Sequence, residues 1–296
     1  MFYKCVVKEG NNLFFGNYAK PGKGINKRDP NEPKFKIFLD VFPRKLWSLF
    51  KLNVLYILVS VPFAVITMIV SGVISSHVLN DIYVTTLSVT DVGVYDILIR
   101  LAVSFIFMVF AGLGPTTAGF IYIIREYACE RHCWLFSDFF GQLKTNFKHS
   151  ILLWFVDLAV MYLFTIAYDF YGKSGNAIFQ YIILLVVLIY IMMHFYIYQI
   201  MITFDLPFKN ILKNSFLLTM GKAHINLLIL VCNVIIYVIV PISLIMSNAS
   251  SLITMLILLA EVLFLPSLTN FITSFYVISE LEKYINDNEQ KGEHGL

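Results

Sequence analysis

The chain has 296 residues, 58% of them apolar and only 14% charged, against roughly 25% charged in soluble domains, so a water-soluble globular protein is excluded. Its formal net charge of +3 needs no nucleic-acid partner, because the basic residues already sort toward what an anionic inner membrane leaflet would attract. The composition implies an all-α integral membrane protein, with the lipid bilayer as its first partner.

Residues 1–34 read as a cytoplasmic N-terminal segment. The stretch MFYKCVVKEGNNLFF has neither an apolar core nor a small-residue cleavage site, so no cleavable signal peptide is expected. Phe35, Phe38, Leu39 and Phe42, continued by Leu49 and Phe50 beyond Pro43, form an amphipathic stripe before the first span, near 52–76. The second span is expected near 101–124 and is interrupted by Gly112, Gly114 and Pro115. With Gly119 and the neighbouring threonines these make a small-residue surface suited to close helix packing. Pro115 removes a backbone donor, so a kink near Leu113 is expected; a broken helix that exposes backbone to a substrate is the alternative.

The polar cluster REYACERHC follows. On a continuous helix Cys129, His132 and Cys133 would share one face, a partial ligand set for zinc, but a fourth local ligand is lacking and the reading adopted is a juxtamembrane helix end with no metal and no cofactor. Phe136, Phe139, Phe140, Leu143 and Phe147 then recur at helical spacing on one face, opposite Asp138, Gln142, Lys144 and Lys148. This predicts a helix lying in the inner membrane interface.

Further spans are expected near 151–168, holding Asp157, and near 177–203, holding His194. A third interfacial helix carries Phe208, Ile211, Leu212 and Phe216, with Asp205 as N-cap and Pro207 in the first turn. The apolar run from Ile225 to Ala260 is too long for one crossing and must turn at SNASS, Ser247 to Ser251, giving spans near 223–246 and 252–278, the latter holding Glu261. Residues 35–280 thus form a six-span membrane domain, and 281–296 a cytoplasmic tail read as disordered.

Of the 22 Lys and Arg, 20 fall on one side of this scheme, against Arg100 and Lys173 on the other, which sets both termini in the cytoplasm. FKLNV (Phe50 to Val54), LKTNF (Leu143 to Phe147) and LKNSF (Leu212 to Phe216) each precede an inside-to-outside span. They suggest three repeats of an interfacial helix plus two spans, beside the plainer reading that Lys-bearing amphipathic helices commonly precede spans.

Tyr18 to Phe63, Gly114 to Glu126 and Phe139 to Trp154 resemble, in order, three blocks of the YesL-like family of bacterial integral membrane proteins. That resemblance implies a multi-pass protein of the bacterial plasma membrane, without established activity, from a family often encoded beside carbohydrate transport and glycan-degradation genes. Shorter relatives lack most of the 50 or so residues between Pro62 and Gly114.

The sequence contains no phosphate-binding loop, dinucleotide fingerprint, zinc-protease helix or nucleophile elbow, so catalysis of its own is not expected. Two functions remain. One is an accessory or assembly protein for carbohydrate uptake, partnered by an importer or another membrane protein. The other is a small-solute transporter, proton-coupled through Asp157, His194 and Glu261, since ionisable groups inside a bilayer cost roughly 2.5 to 3.5 kcal/mol and mark ion paths or buried partners.

Overall fold

The computed structural model describes residues 34–86, 112–236 and 263–283, with side chains in the first segment described over 36–73. Every regular element among the described residues is helical: α1 (Lys34–Thr86), α2 (Pro115–Ala128), α3 (Leu135–Thr145), α4 (Phe147–Lys173), α5 (Ala177–Thr203), α6 (Phe208–Gly221) and α7 (Ala223–Val234). Residues 263–283 form α8. The N-terminal segment, most of the first family-like block's leader, residues 101–111 of span two, Glu261, the SNASS turn and the tail beyond 283 lie outside the described residues.

Among the described residues three helices are long and apolar enough to cross a bilayer: α1 over Lys36–Val73, α4 and α5. The count rises to four if α6 and α7, bent by 93° at Lys222, act as one broken span. The chain is therefore a multi-span helical membrane protein. α5 has the bounds expected from the sequence, while α4 extends the expected 151–168 at both ends. α1 runs unbroken through Pro43 and Pro62; at 1.5 Å per residue its 53 residues reach about 80 Å, far beyond a bilayer core of about 30 Å, so the amphipathic stripe and the first span are one rod.

Two expectations change. Pro115 does not kink a continuous helix: it is the first residue of α2, preceded by a turn in which Gly112 and Gly114 hold φ of +60° and +65°. A left-handed backbone suits glycine, and proline lacks the N–H that a first helical residue would leave unbonded, so the sequence starts a helix here. Asp205 does not cap α6, which begins at Phe208 directly after Pro207 with no side-chain cap.

The main core draws on α1 to α6 and α8. Leu52, Tyr56, Phe120, Ile124, Phe139, Leu153, Tyr196, Ile200, Ile211 and Phe271 are buried in one cluster. Phe38 and Phe42 of α1 pack on Phe271 of α8, and Tyr56 stacks on Phe120 at 4.2 Å between centroids. At Gly119 a Cβ would stand 2.6 Å from the Phe139 carbonyl oxygen, so the missing side chain lets α3 lie directly on α2. The opposite half of the α4–α5 hairpin leaves Ile178, Tyr181, Leu184, Leu185 and Phe170 exposed, as lipid-facing helices do.

The three similar pentapeptides keep a small polar residue buried at their fourth position, Asn53, Asn146 and Ser215. They differ in placement: the first lies inside α1, the second ends α3, and the third lies inside α6, seven residues before its elbow. The elbow itself is tied by Asn226, fully buried, which accepts from the Tyr196 hydroxyl at 2.8 Å and donates to the Thr219 carbonyl at 3.2 Å.

Candidate functional site

α4 and α5 are joined by the short turn after Lys173, in which Gly175 takes a φ of +70°, so they run antiparallel and face each other along their length. On α4, Ser150, Trp154, Asp157 and Met161 are buried at helical spacing; on α5, Tyr190, His194 and Tyr198 recur every fourth residue. Asp157 and His194 meet in this seam. His194 Nε2 is 3.1 Å from Asp157 Oδ1, the Tyr190 hydroxyl donates to the same oxygen, and His194 Nδ1 lies 3.0 Å from the Tyr190 carbonyl oxygen. Asp157 is 1% exposed, and its second oxygen, Oδ2, has no hydrogen-bond partner.

If His194 Nδ1–H donates to the Tyr190 carbonyl, Nε2 carries a proton only when the ring is cationic; if Nε2–H donates to Asp157, the ring is neutral and Nδ1 has no proton for the carbonyl. The pair can therefore hold a proton in more than one arrangement. Glu261, the third ionisable residue expected in this group, lies outside the described residues. Gln199 binds Ser274 Oγ at 2.7 Å, Asn233 approaches Thr273 Oγ1 at 3.4 Å, and Asn270 donates to its own helix at the Pro266 carbonyl. Those amides join α5 and α7 to α8 or remain local, rather than supplying Asp157.

The start of α2 borders the same seam. The Thr117 hydroxyl accepts the Leu113 N–H at 3.0 Å, and Thr116 donates to the Leu113 carbonyl at 2.6 Å, so two threonines hold both polar groups of one turn residue. Ser60 and Tyr56 of α1 reach the same two hydroxyls at 2.8 and 3.2 Å. A Cβ on Gly112 would lie 3.6 Å from the Tyr198 hydroxyl, and one on Gly114 would lie 2.9 Å from the Phe63 ring, which meets Trp154 edge-on. Sequence reasoning singled out Asp157, His194 and the Gly-Pro break but missed Tyr190, Tyr198 and Trp154. The available signal was spacing within a span: Tyr190 and Tyr198 each lie four residues from His194, and Trp154 three before Asp157.

The polar cluster after α2 has another role. α2 ends at Ala128, so Cys129, His132 and Cys133 do not share a helix face as a continuous helix would have required. Arg131 N–H bonds the Glu126 carbonyl and Glu130 N–H the Tyr127 carbonyl, with Glu130 at φ +55°, a Schellman-type helix end. Glu130 meets Arg44 of α1 at 2.7 Å. Burial pushes the thiol of Cys129 up to about 12 and that of Cys133 up to about 11, so in the metal-free protein both stay protonated at neutral pH. Burial also raises the Glu126 carboxyl, against the opposing pull of Arg125 and with help from Asp138.

The aromatic stripe divides. Phe139 is fully buried against α2, while Phe136, Phe140 and Phe147 are 65%, 37% and 44% exposed and Leu143 is half-buried. Only part of the stripe is therefore free to meet lipid. Comparison with known proteins finds no match: no family model, no curated protein and no solved structure aligns significantly with this chain.

Proposed function

We propose that the protein is a small-solute transporter of the bacterial plasma membrane, with six spans and cytoplasmic termini, in which protonation of the Asp157–His194 pair is linked to movement of the solute. The reading rests on one observation: a buried carboxylate is met by a half-buried imidazole and phenol beside a helix that starts at a Gly-Pro break. Asp157 lies ten residues into α4, His194 nine residues before the end of α5, and Pro115 thirteen before the end of α2. At 1.5 Å per residue these positions stand about 15, 14 and 20 Å from those helix ends, well inside the helices. Broken helices around a midplane polar site are the usual construction of secondary transporters.

The test is reconstitution into liposomes loaded with a pH-sensitive dye, with mono- and oligosaccharides added outside, as the YesL-like resemblance suggests. A sugar that acidifies the lumen with wild type but not with Asp157→Asn supports the proposal. Absence of coupled proton movement across the whole series counts against it.

A second reading, an accessory protein in carbohydrate uptake, is favoured by Trp47, Trp134 and Phe136, which are 62%, 70% and 65% exposed at the basic end. A stable importer subunit recovered on affinity purification, and lost in Trp134→Ala, would support that role.

A further inference from the structure

We propose that Tyr198 couples the charge state of Asp157 to the Gly112–Gly114 turn at which α2 begins; this rests on the proton-linked reading of the Asp157 pair. The Tyr198 side chain is 4% exposed, and its hydroxyl has no partner at good hydrogen-bond geometry, although Thr117 is near enough to interact with it. Unpaired buried hydroxyls are rare enough to require a reason. Two neighbours of Tyr198 supply one. The first is Asp157, which meets His194 one helical turn before Tyr198 and whose Oδ2 is likewise buried and unpartnered. The second is the turn, where the hydroxyl stands 3.6 Å from the position a Gly112 Cβ would take, beside Thr117 Oγ1, which is 2.9 Å from that point.

Thr117 is the pivot. Its oxygen already accepts the Leu113 N–H, and its single proton has two claimants, the Tyr56 oxygen at 3.2 Å and the Tyr198 oxygen. While Asp157 is ionised, its field turns the Tyr198 O–H dipole toward the carboxylate, leaving the phenol oxygen to attract the Thr117 proton. Once Asp157 is neutral that pull ends, Tyr198 can donate to Thr117, and the Thr117 proton goes to Tyr56. Thr117 then accepts from both Tyr198 and the Leu113 N–H, which weakens its hold on the turn. A proton arriving on α4 is thereby read at the first turn of α2.

Among the described residues the titratable groups around Asp157 are Tyr190, His194 and Tyr198 from α5. Tyr56 of α1 joins through Thr117, and α2 contributes only the hydroxyls of Thr116 and Thr117. Tyr198 is a positioning residue in this scheme and need not carry the transferred proton.

Two measurements on the full-length protein in lipid nanodiscs test the coupling across about pH 5 to 8, the window of imidazole titration. Infrared difference spectra, assigned by loss of the band in Asp157→Asn, report protonation of the carboxyl. Hydrogen exchange of amides 112–120, corrected for intrinsic rates, reports the turn. In wild type, exchange should change about tenfold, the factor that one weakened hydrogen bond carries, over the same pH range in which the carboxyl titrates. Tyr198→Phe, which deletes only the hydroxyl and keeps the ring, should still show carboxyl titration while exchange at 112–120 becomes independent of pH. A pH-dependent change that survives in Tyr198→Phe overturns the coupling. So does a wild type whose carboxyl titrates with no response at 112–120, a result that needs no variant and leaves the proton site standing. If no carboxyl at Asp157 titrates, the proton-linked function fails first and the coupling with it.

Discussion

His194 Nε2 stands 3.1 Å from Asp157 Oδ1 across the antiparallel helices α4 and α5, joining residues 37 apart in sequence within the seam between them. Removing one member of a buried pair leaves the other uncompensated, at a cost of about 3 to 5 kcal/mol, whereas removing both spares that penalty. Asp157→Ala and His194→Leu should each lower the thermal midpoint in detergent, and the double variant should be no less stable than the worse single one. Additive losses in this mutant cycle would show that the two side chains act independently.

The backbone of Glu130 is strained and its side chain is paired. A non-glycine residue in the left-handed region costs about 1 to 2 kcal/mol, and this one also holds Arg44 at 2.7 Å. Glu130→Gly removes the strain and the ion pair together, so stability should change little. Glu130→Ala keeps the strain and loses the pair, and should be the less stable variant by about 1 kcal/mol. Denaturation of the two side by side checks the order.

Gly119 permits the contact between α2 and α3. Its absent Cβ would be 2.6 Å from a backbone oxygen, which cannot swing aside as a side chain can. Gly119→Ala should therefore destabilise by about 1 to 3 kcal/mol, despite alanine's better helix propensity, and should loosen α3 enough to expose Phe139. Gly141 on the outer side of α3 has open space, and Gly141→Ala should be neutral or stabilising. Thermal midpoints of the pair separate the two predictions.

Cys129 and Cys133 should react slowly with iodoacetamide in the folded protein. With burial holding their thiols near 12 and 11, almost no thiolate exists at neutral pH, and the rate should rise steeply only above about pH 10. In denaturant both should alkylate at the ordinary rate. Mass spectrometry of the labelled peptides distinguishes these outcomes, and rapid labelling of either half-buried thiol in the folded protein at pH 7 would contradict the prediction.

Glu280 ties the elbow of α6 and α7 to α8. Burial alone would raise its carboxyl, but the hydrogen bond and charge of Lys283 at 2.6 Å, with Lys222 at 3.5 Å, hold it below its ordinary 4.5. A depressed carboxylate contributes stability above its unfolded value and loses it as the pH falls through the folded value. Glu280→Gln should therefore be less stable than wild type at pH 7, and the gap should close below about pH 4. Thermal scans over that range are the measurement.

The membrane class, the bounds of α5, the start of α4 within a few residues and the amphipathic character of α3 and α6 were all legible in the sequence. Long apolar runs and 3.6-residue periodicity are local properties, and a bilayer imposes a fixed length on them. Asp157 and His194 could be singled out for the same reason, as charges inside apolar runs. What only tertiary structure decided was their meeting: the 3.1 Å contact depends on the rotation of α4 against α5, set by packing along the whole hairpin. Tertiary packing likewise turned Phe139 away from the rest of its stripe and onto Gly119, because two helices can approach that closely only where a side chain is missing. The Gly-Pro break shows the division at one place. Its residues announce a helix start locally, but the hydroxyls of Tyr56, Ser60 and Tyr198 that surround it come from two other helices, and no local pattern encodes which distant side chains will fill the space beside a turn.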